Sequence, residues 1–319
     1  MTMASEAELL ELTDTVRRWT GAHPLAIPGG VGSVDPDRWA ALHGLGVLAL
    51  LAPAERGGMD LGLGAAAAVF EVLGAALEPG PLTWSALGPR LAGVVPDGAV
   101  VTGIDRDLPG PPIVAHLEGA TVLLELSASG VLACDARSVG YRVVHPLDPW
   151  SPVALLDEEL SGEQVGGPEE ADAIRVDGAL LGAAELIGIA RTAVSLAVDY
   201  AKDRVQFGRP VGSFQGLKHL LADAHAETEV AGALLVAAVR ERDALDPHAP
   251  RSARSAKALT GRAALAATRT CIQTHGGIGY TWEARPHLLY KRAVVADQAF
   301  GSADFHLAAV AADLAGAPA

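Results

Sequence analysis

Apolar residues in the second half of the chain recur at helical spacing. Steps of three and four residues place side chains on one face of a helix. Two stripes follow this rule, one running Leu180, Ala183, Ile187, Ala190, Val194, Ala197 and Ala201, the other Phe214, Leu217, Leu221, Ala224, Thr228, Ala231, Leu235 and Ala238. Between them Pro210 and Gly212 break the chain, and Ser213 is placed to cap the second helix. The spacing predicts two long helices packed antiparallel.

Two further helices complete this region. The third is predicted to run from the turn at Asp246–Pro250 to about Thr274, where the glycines of 276–279 end it. The fourth is predicted to begin near Glu283, with an interruption at Gly301. Four long helices with short connections predict a helical bundle.

The rest of the chain divides into a helical part and a β-type part. Helices are predicted over Glu6–Trp19, Asp37–Leu45 and Leu63–Leu77. The short apolar runs that follow are separated by Gly, Pro and Asp, and they are Val100–Ile104, Pro112–Leu117, Thr121–Leu126, Gly130–Cys134 and Arg142–His145. They predict a small antiparallel β module, and the acidic, glycine-rich stretch Asp157–Glu170 predicts a linker after it.

The fold class is therefore mainly α with a small β module. We predict an N-terminal helical domain over residues 1–93, a middle antiparallel β-domain over 94–166 and a C-terminal helical bundle over 167–319. Hydrophobic residues make up 50% and aromatic residues only 4% of the 319 residues, a composition that favours closely packed helices over a β-sandwich and excludes a disordered chain.

Charge is distributed unevenly. The formal net charge is −14, and residues 1–170 carry 8 basic and 23 acidic residues against 16 and 15 in residues 171–319. An acidic first half argues against binding to nucleic acid or to an anionic membrane, both of which require a basic surface. The nearly neutral second half is where a phosphate-bearing ligand is better accommodated.

The cysteines and the N-terminus indicate a cytoplasmic protein. Cys134 and Cys271 are too far apart to suggest a disulfide framework or a metal site. The N-terminus is acidic where a signal peptide would be basic, and apolar runs such as Leu45–Ala54 are too short to span a bilayer. We therefore expect no membrane insertion.

Metal binding is not predicted either. His219, Asp223 and Glu227 share one helix face at intervals of four residues, as metal ligands could. Because no other ligand-type residues converge on them in the sequence, we interpret them as a solvated face.

Two segments could bind a ligand. The first contains Arg204, Phe207 and Gly208 where the first long helix ends, then Phe214 and Gln215 where the next begins. The second is Gln273-Thr-His275-Gly-Gly277 at the end of the third helix. If the two segments have only a structural role, they are a helical hairpin and a glycine-rich helix terminator. If they bind a ligand, the glycines, which have no side chain, let a flat or phosphorylated ligand approach the main chain.

Together these segments resemble the acyl-CoA dehydrogenase family, whose patterns are Arg-x-x-Phe-Gly followed by Phe-Gln, and later Gln-x-His-Gly-Gly-x-Gly. The resemblance extends forward to Trp39 and to Pro53–Gly58, which is similar to the family's Pro-Glu-x-Gly-Gly turn. It implies the same three-domain architecture and FAD-dependent α,β-dehydrogenation of an acyl-CoA thioester. The cofactor-binding residues that it implies are Arg204, Phe207, Gln215, Gln273, Thr274, His275, Gly276 and Gly277.

The chain departs from the family where the catalytic base is expected. The family's glutamate precedes a Gly-Thr or Gly-Ser pair, and here Phe300 precedes Gly301-Ser302. A second location in the family, near the start of the long bundle helix, corresponds to Gly178, with Asp177 and Glu185 nearby. We therefore assign no catalytic residue.

A second departure concerns the flavin-binding strand. The family's Thr-Glu-x-x-x-Gly-Ser-Asp is missing, and its nearest remnant is Val100–Asp105. These departures suggest a subunit that lacks the base and completes the FAD site of a full-length paralogue, in an assembly of two copies of each. Some actinobacterial members of the family that act on bulky CoA thioesters, including sterol side chains, are built this way. The alternatives are a self-sufficient homo-oligomer with a relocated base and a non-catalytic structural paralogue.

Overall fold

A computed structural model describes residues 6–26, 34–91, 95–96, 98–157 and 159–316. The chain separates into two compact units. One comprises Met1–Val16, Pro28–Val69 and Pro79–Leu181, and the other comprises Arg17–Ile27, Phe70–Glu78 and Gly182–Ala319. The three-domain division with boundaries after residues 93 and 166 stays a prediction.

The N-terminal helices lie close to their predicted positions. They are α1 (Glu6–Ala22), α2 (Pro36–Gly44), α3 (Leu63–Ala76) and α4 (Leu82–Leu87). Asp35 caps α2, because its carboxylate accepts the backbone N–H groups of Asp37 and Arg38. Trp39 and Leu42, on one face of α2, are buried. The six-residue α4 is too short to show a helical stripe and was not predicted.

The middle region forms two sheets. Its strands are β1 (Val101–Asp105), β2 (Ile113–Ala115), β3 (Val122–Ser127), β4 (Gly130–Asp135), β5 (Tyr141–Val144), β6 (Val153–Leu156) and β7 (Glu163–Gly166). One sheet has the order β1-β3-β4-β7 and the other β2-β6-β5. Buried side chains at Val114, Leu123 and Leu156 belong to one core.

Two predictions about this region are wrong. The module is not wholly antiparallel, because β1 pairs with β3 in parallel. The chain leaves the first sheet to form β2 in the second sheet before it returns, and such a crossover brings it back in the same direction. The supposed linker at Asp157–Glu170 contains β7, which pairs with β4, and the next helix begins at Pro168.

The C-terminal region has long helices, as predicted. They are α5 (Pro168–Asp203), α6 (Gln215–Asp243), α7 (Ala249–His275), α8 (Pro286–Gln298) and α9 (Ala303–Leu314), with a hairpin of β8 (Val205–Gln206) and β9 (Arg209–Pro210) after α5. Helix α7 packs against α6, α8 and α9. The predicted interruption at Gly301 is confirmed, since α8 and α9 are separated there and Gly301 has a φ of 97°. Ser213 does not cap α6, because Phe214 occupies the cap position.

Helix α5 differs from the expectation about membrane segments. It is 36 residues long, and among the described residues it is the helix long and apolar enough to cross a membrane by length and composition. However, 67% of its most apolar 18-residue window is buried inside the protein. Burial of this kind is typical of a core helix in a bundle.

Candidate functional site

The two predicted ligand-binding segments meet where α5 and α7 end. The ring of Tyr200 stacks on the ring of His275, with centroids 4.1 Å apart and planes inclined by 25°. Tyr200 lies one helical turn before Arg204, whose N–H donates to the Tyr200 carbonyl. His275 is the last residue of α7. The structure thus brings together segments that are about 70 residues apart in sequence, in agreement with a single site.

The first segment ends in an exposed aromatic ring. The tip of the β8–β9 hairpin is Phe207-Gly208, and both residues have positive φ, 53° and 77°. Positive φ is strained for a bulky residue such as phenylalanine. Phe207 is nevertheless 92% exposed, and its ring makes an edge contact with the Phe214 ring at 6.1 Å between centroids. The hairpin tip therefore combines an unfavourable backbone conformation with an exposed aromatic residue.

The same segment is locally basic. Its cations are Lys202, Arg204, Arg209 and Lys218, and all four lie at exposed positions. The Arg209 guanidinium sits 4.1 Å from the centroid of the Phe214 ring. Gln215, also exposed, is the first residue of α6. These four cations exceed the two carboxylates of the same segment, Asp199 and Asp203, so in a chain with a net charge of −14 it is a favourable place for an anion such as a pyrophosphate.

The main chain of the second segment is exposed at its two glycines. Gly276 has φ 63° and ψ −140°, a conformation that side chains disfavour, and its N–H turns back to the carbonyls of Gln273 and Ile272. A Cβ added at Gly276 or at Gly277 would meet no described atom within 4 Å. Both glycines and Gln273 are exposed. A ligand can therefore approach the main chain closely here.

Thr274 and His275 are more restricted than their exposed neighbours. Thr274 is buried and its hydroxyl donates to the carbonyl of Thr270 at 2.7 Å, so its side chain faces the protein interior. The His275 Nδ1 lies 2.8 Å from the carbonyl oxygen of Cys271.

The cofactor-binding role of all eight predicted residues stays a prediction. The residues present fit FAD, since the exposed Arg204 guanidinium suits its pyrophosphate and the exposed glycine turn leaves room for the cofactor against the main chain.

The remnant of the flavin-binding strand, β1, makes its contacts with neighbouring residues of the same chain. Thr102 is buried and donates to the carbonyl of Ala115 at 2.6 Å. A side chain at Gly103 would collide with the Trp84 ring, 2.5 Å from the added Cβ. Asp105 accepts a hydrogen bond from Arg175 at 2.8 Å. The polar groups of β1 are therefore engaged within the chain.

The carboxylates considered as relocated bases are likewise engaged. Asp177 is 2% exposed and accepts a hydrogen bond from Arg90. Glu185 lies 3.8 Å from the guanidinium of Arg292, which is itself buried. Phe300, at the family's usual base position, is buried and has no group that accepts a proton. None of these residues is arranged as an exposed general base.

The connection between α8 and α9 is held by two buried side chains that the sequence reasoning missed, Lys257 on α7 and His306 on α9. The Lys257 ammonium is wholly buried and donates to the carbonyls of Asp297 at 2.7 Å and Gly301 at 3.0 Å. Burial lowers the pKa of Lys257 to about 8, opposed by the charges of Asp297 and Glu185. The sequence feature that could have revealed Lys257 is its position on the buried face of α7, where most neighbouring residues are alanine.

His306 holds the same connection from the other side. Its Nε2 is 2.8 Å from the carbonyl oxygen of Phe300, which must accept, so Nε2 carries the hydrogen. Burial lowers the pKa of His306 to about 4, reinforced by the charges of Lys257 and Arg254 and opposed by the bond to Phe300. The turn at Phe300 is thus rigidly held although it presents no base.

The fold is that of an acyl-CoA dehydrogenase. The crystal structure of the ChsE4-ChsE5 complex from Mycobacterium tuberculosis contains a chain similar to this one with a TM-score of 0.84, at 22% identity and 99% coverage of both chains. Butyryl-CoA dehydrogenase from Megasphaera elsdenii is similar with a TM-score of 0.78, at 17% identity, covering 99% of this chain and 100% of that one.

Sequence comparison establishes the family. Residues 177–315 match the model of the acyl-CoA dehydrogenase C-terminal domain. The acyl-CoA dehydrogenase IpdE2 of Mycobacterium tuberculosis is 34% identical over 307 residues, 92% of each chain. The protein belongs to the acyl-CoA dehydrogenase family, and FAD is the cofactor of that family. Among the described residues, no group of three or more His, Cys, Asp or Glu side chains could hold a metal ion.

Proposed function

We propose that this chain is the subunit of a heteromeric acyl-CoA dehydrogenase that lacks the catalytic base and completes the FAD site of a full-length paralogue. One contrast carries the proposal. The segment around Arg204 is exposed and basic, and the glycine turn at Gly276 exposes its main chain. By contrast, the polar groups of the flavin-strand remnant form hydrogen bonds within the chain, and the buried Phe300 stands where the family has its catalytic base. A half-site of this kind needs a second chain that supplies the other half.

The chemistry divides accordingly between the chains. FAD, when bound, would supply the acceptor for the β-hydrogen that leaves the acyl-CoA thioester as hydride. A carboxylate must remove the α-proton, and we assign it to the partner. In this chain Arg204 would bind the pyrophosphate, the exposed main chain of Gly276 and Gly277 would let the cofactor approach closely, and the basic segment would attract its negative charge.

The comparisons support this assignment. ChsE4-ChsE5 is a complex of two differently named chains, and the Tcur3481-Tcur3483 steroid acyl-CoA dehydrogenase has a chain similar in fold to this one, with a TM-score of 0.83 and 24% identity. We propose by analogy a cytoplasmic heterotetramer with two copies of each chain. Its substrate is a bulky acyl-CoA thioester, in lipid or steroid catabolism.

To test this, the chain is co-expressed with acyl-CoA dehydrogenase paralogues from the same genome. The paralogues chosen have an intact flavin-binding strand and a glutamate before their Gly-Thr or Gly-Ser pair. The complex that forms is then compared with its Arg204→Ala variant for flavin content. Arg240→Ala is the matched control, because Arg240 is an exposed arginine in the last turn of α6, outside the basic segment. Flavin loss with Arg204→Ala alone, in an assembled complex, is the expected result. Equal flavin content in all three would refute the assignment.

A further inference from the structure

The contact between Tyr200 and His275 links the two flavin-facing segments directly. Their rings are nearly parallel, with 4.1 Å between centroids, and neither ring lies at a fully exposed position. Aromatic pairs contribute about 0.5–1.5 kcal/mol beyond the area they bury. Arg204 follows Tyr200 by one turn and Gly276 follows His275 directly, so the stack fixes the end of α5 against the start of the glycine turn.

The hydrogen bond of His275 determines which ring nitrogen is available. A backbone carbonyl can only accept, so Nδ1, 2.8 Å from the Cys271 oxygen, carries the hydrogen. In the neutral ring Nε2 is then an acceptor. The hydrogen bond and the stack together fix both side-chain torsions of His275, and hence the direction in which Nε2 points.

We propose that Tyr200 is a positioning residue for the flavin site, and that through the stack it holds His275 with Nε2 aimed to accept a hydrogen bond from a hydroxyl or amino group of the bound cofactor. The inference rests on the proposed function. Phosphate oxygens are acceptors and cannot pair with the Nε2 lone pair, so His275 and Arg204 recognise different parts of the same ligand.

Three variants of the co-expressed complex separate the elements of this proposal. Tyr200→Phe keeps a ring that can stack, and Tyr200→Leu removes it. His275→Asn keeps an amide N–H that can donate to the Cys271 carbonyl but removes the acceptor at the Nε2 position. Measured by titrating FAD into the flavin-stripped complex, affinity is expected to be unchanged for Tyr200→Phe and weakened about 2- to 10-fold for Tyr200→Leu. His275→Asn is expected to weaken FAD binding as well.

A second readout needs no partner and no flavin. In the isolated chain, ring current from Tyr200 should shift the His275 Cε1–H proton resonance upfield. Tyr200→Phe should keep that shift and Tyr200→Leu should abolish it, with the remaining spectrum of the folded chain unchanged. If the resonance is insensitive to residue 200, the stack does not hold His275 and the proposal fails.

The outcomes distinguish this proposal from the one on which it rests. If Arg204→Ala weakens FAD binding and Tyr200→Leu does not, the positioning role is wrong while the flavin half-site stands. If neither variant changes FAD binding, the half-site itself is wrong. Equal weakening by Tyr200→Phe and Tyr200→Leu would assign the effect to the tyrosine hydroxyl and overturn positioning by the stack.

Discussion

Arg90 donates a hydrogen bond to Asp177, and the aspartate carboxylate is almost wholly buried in that contact. The pair occupies the place at the start of the long bundle helix where a relocated base would be sought. A carboxylate whose oxygen accepts a hydrogen bond from a guanidinium is directed at that group and not at a substrate proton, so its geometry is not that of a general base.

We therefore expect Asp177→Asn to affect stability and not catalysis. The asparagine oxygen can still accept from Arg90 but no longer carries the opposite charge, and because the Arg90 side chain is 35% exposed the loss of stability should be about 1–2 kcal/mol. Thermal unfolding and dye-reduction assays of the complex measure the two effects separately. Turnover abolished in a variant that still folds and still binds flavin would restore the relocated-base alternative.

The isolated chain should not dehydrogenate acyl-CoA thioesters. Phe300 cannot accept a proton at any pH, and Phe300→Glu should not rescue activity, because the flavin strand that this chain lacks is still missing. A dye-reduction assay with the purified wild type and the variant, each supplied with excess FAD, provides the measurement. Turnover by either protein without a partner would show that the half-site proposal is incorrect.

Flavin stoichiometry gives an independent prediction. If only mixed sites are complete, the assembly should contain two copies of each chain and about one FAD per heterodimer. FAD that binds only the assembly should also stabilise it, raising the unfolding temperature with flavin concentration. Native mass measurement with flavin quantitation tests both points. A homotetramer with one FAD per chain, formed regardless of the paralogue, would contradict them.

His306 should make the chain sensitive to acid. Its pKa is lowered to about 4 in the folded state from an ordinary value near 6.5, so the unfolded chain binds more protons between these values. Stability attributable to His306 is therefore present above pH 6.5 and is lost as the pH falls toward 4. Between pH 7 and 5 this loss should be about 2 kcal/mol.

The control for this prediction is His306→Gln. The glutamine amide can still donate to the Phe300 carbonyl but does not titrate. Urea unfolding at a series of pH values should show a shallower decline in the free energy of unfolding for the variant. Parallel declines in both proteins would mean that His306 is not the group responsible.

Helical features were predictable because their signal is local. The stripe on α6 places Ala224, Thr228 and Leu235 in the core, with exposed residues between them, as the spacing indicated. Strand β7 lacked such a signal, since Glu163 and Gln164 are exposed and only backbone pairing with β4 makes the segment a strand. The parallel pairing of β1 with β3 depends on a crossover, which no window of sequence contains.

In the candidate site, too, local features were predictable and contacts between distant segments were not. The glycine turn and the cations could be predicted because they lie in short stretches of sequence where helices end. The contact between Tyr200 and His275 joins distant segments, so spacing alone could not show it. The inward orientation of the Thr274 hydroxyl also follows from helix geometry and not from the motif.

The strained, exposed Phe207 has a consequence for the stability of the chain in solution. The protein presents a large apolar residue at a hairpin tip whose backbone conformation would suit glycine or asparagine better. An exposed apolar side chain is available for non-specific contacts with other proteins. If the proposed partner covers this tip, we expect the chain to be less prone to aggregation when it is produced together with that partner.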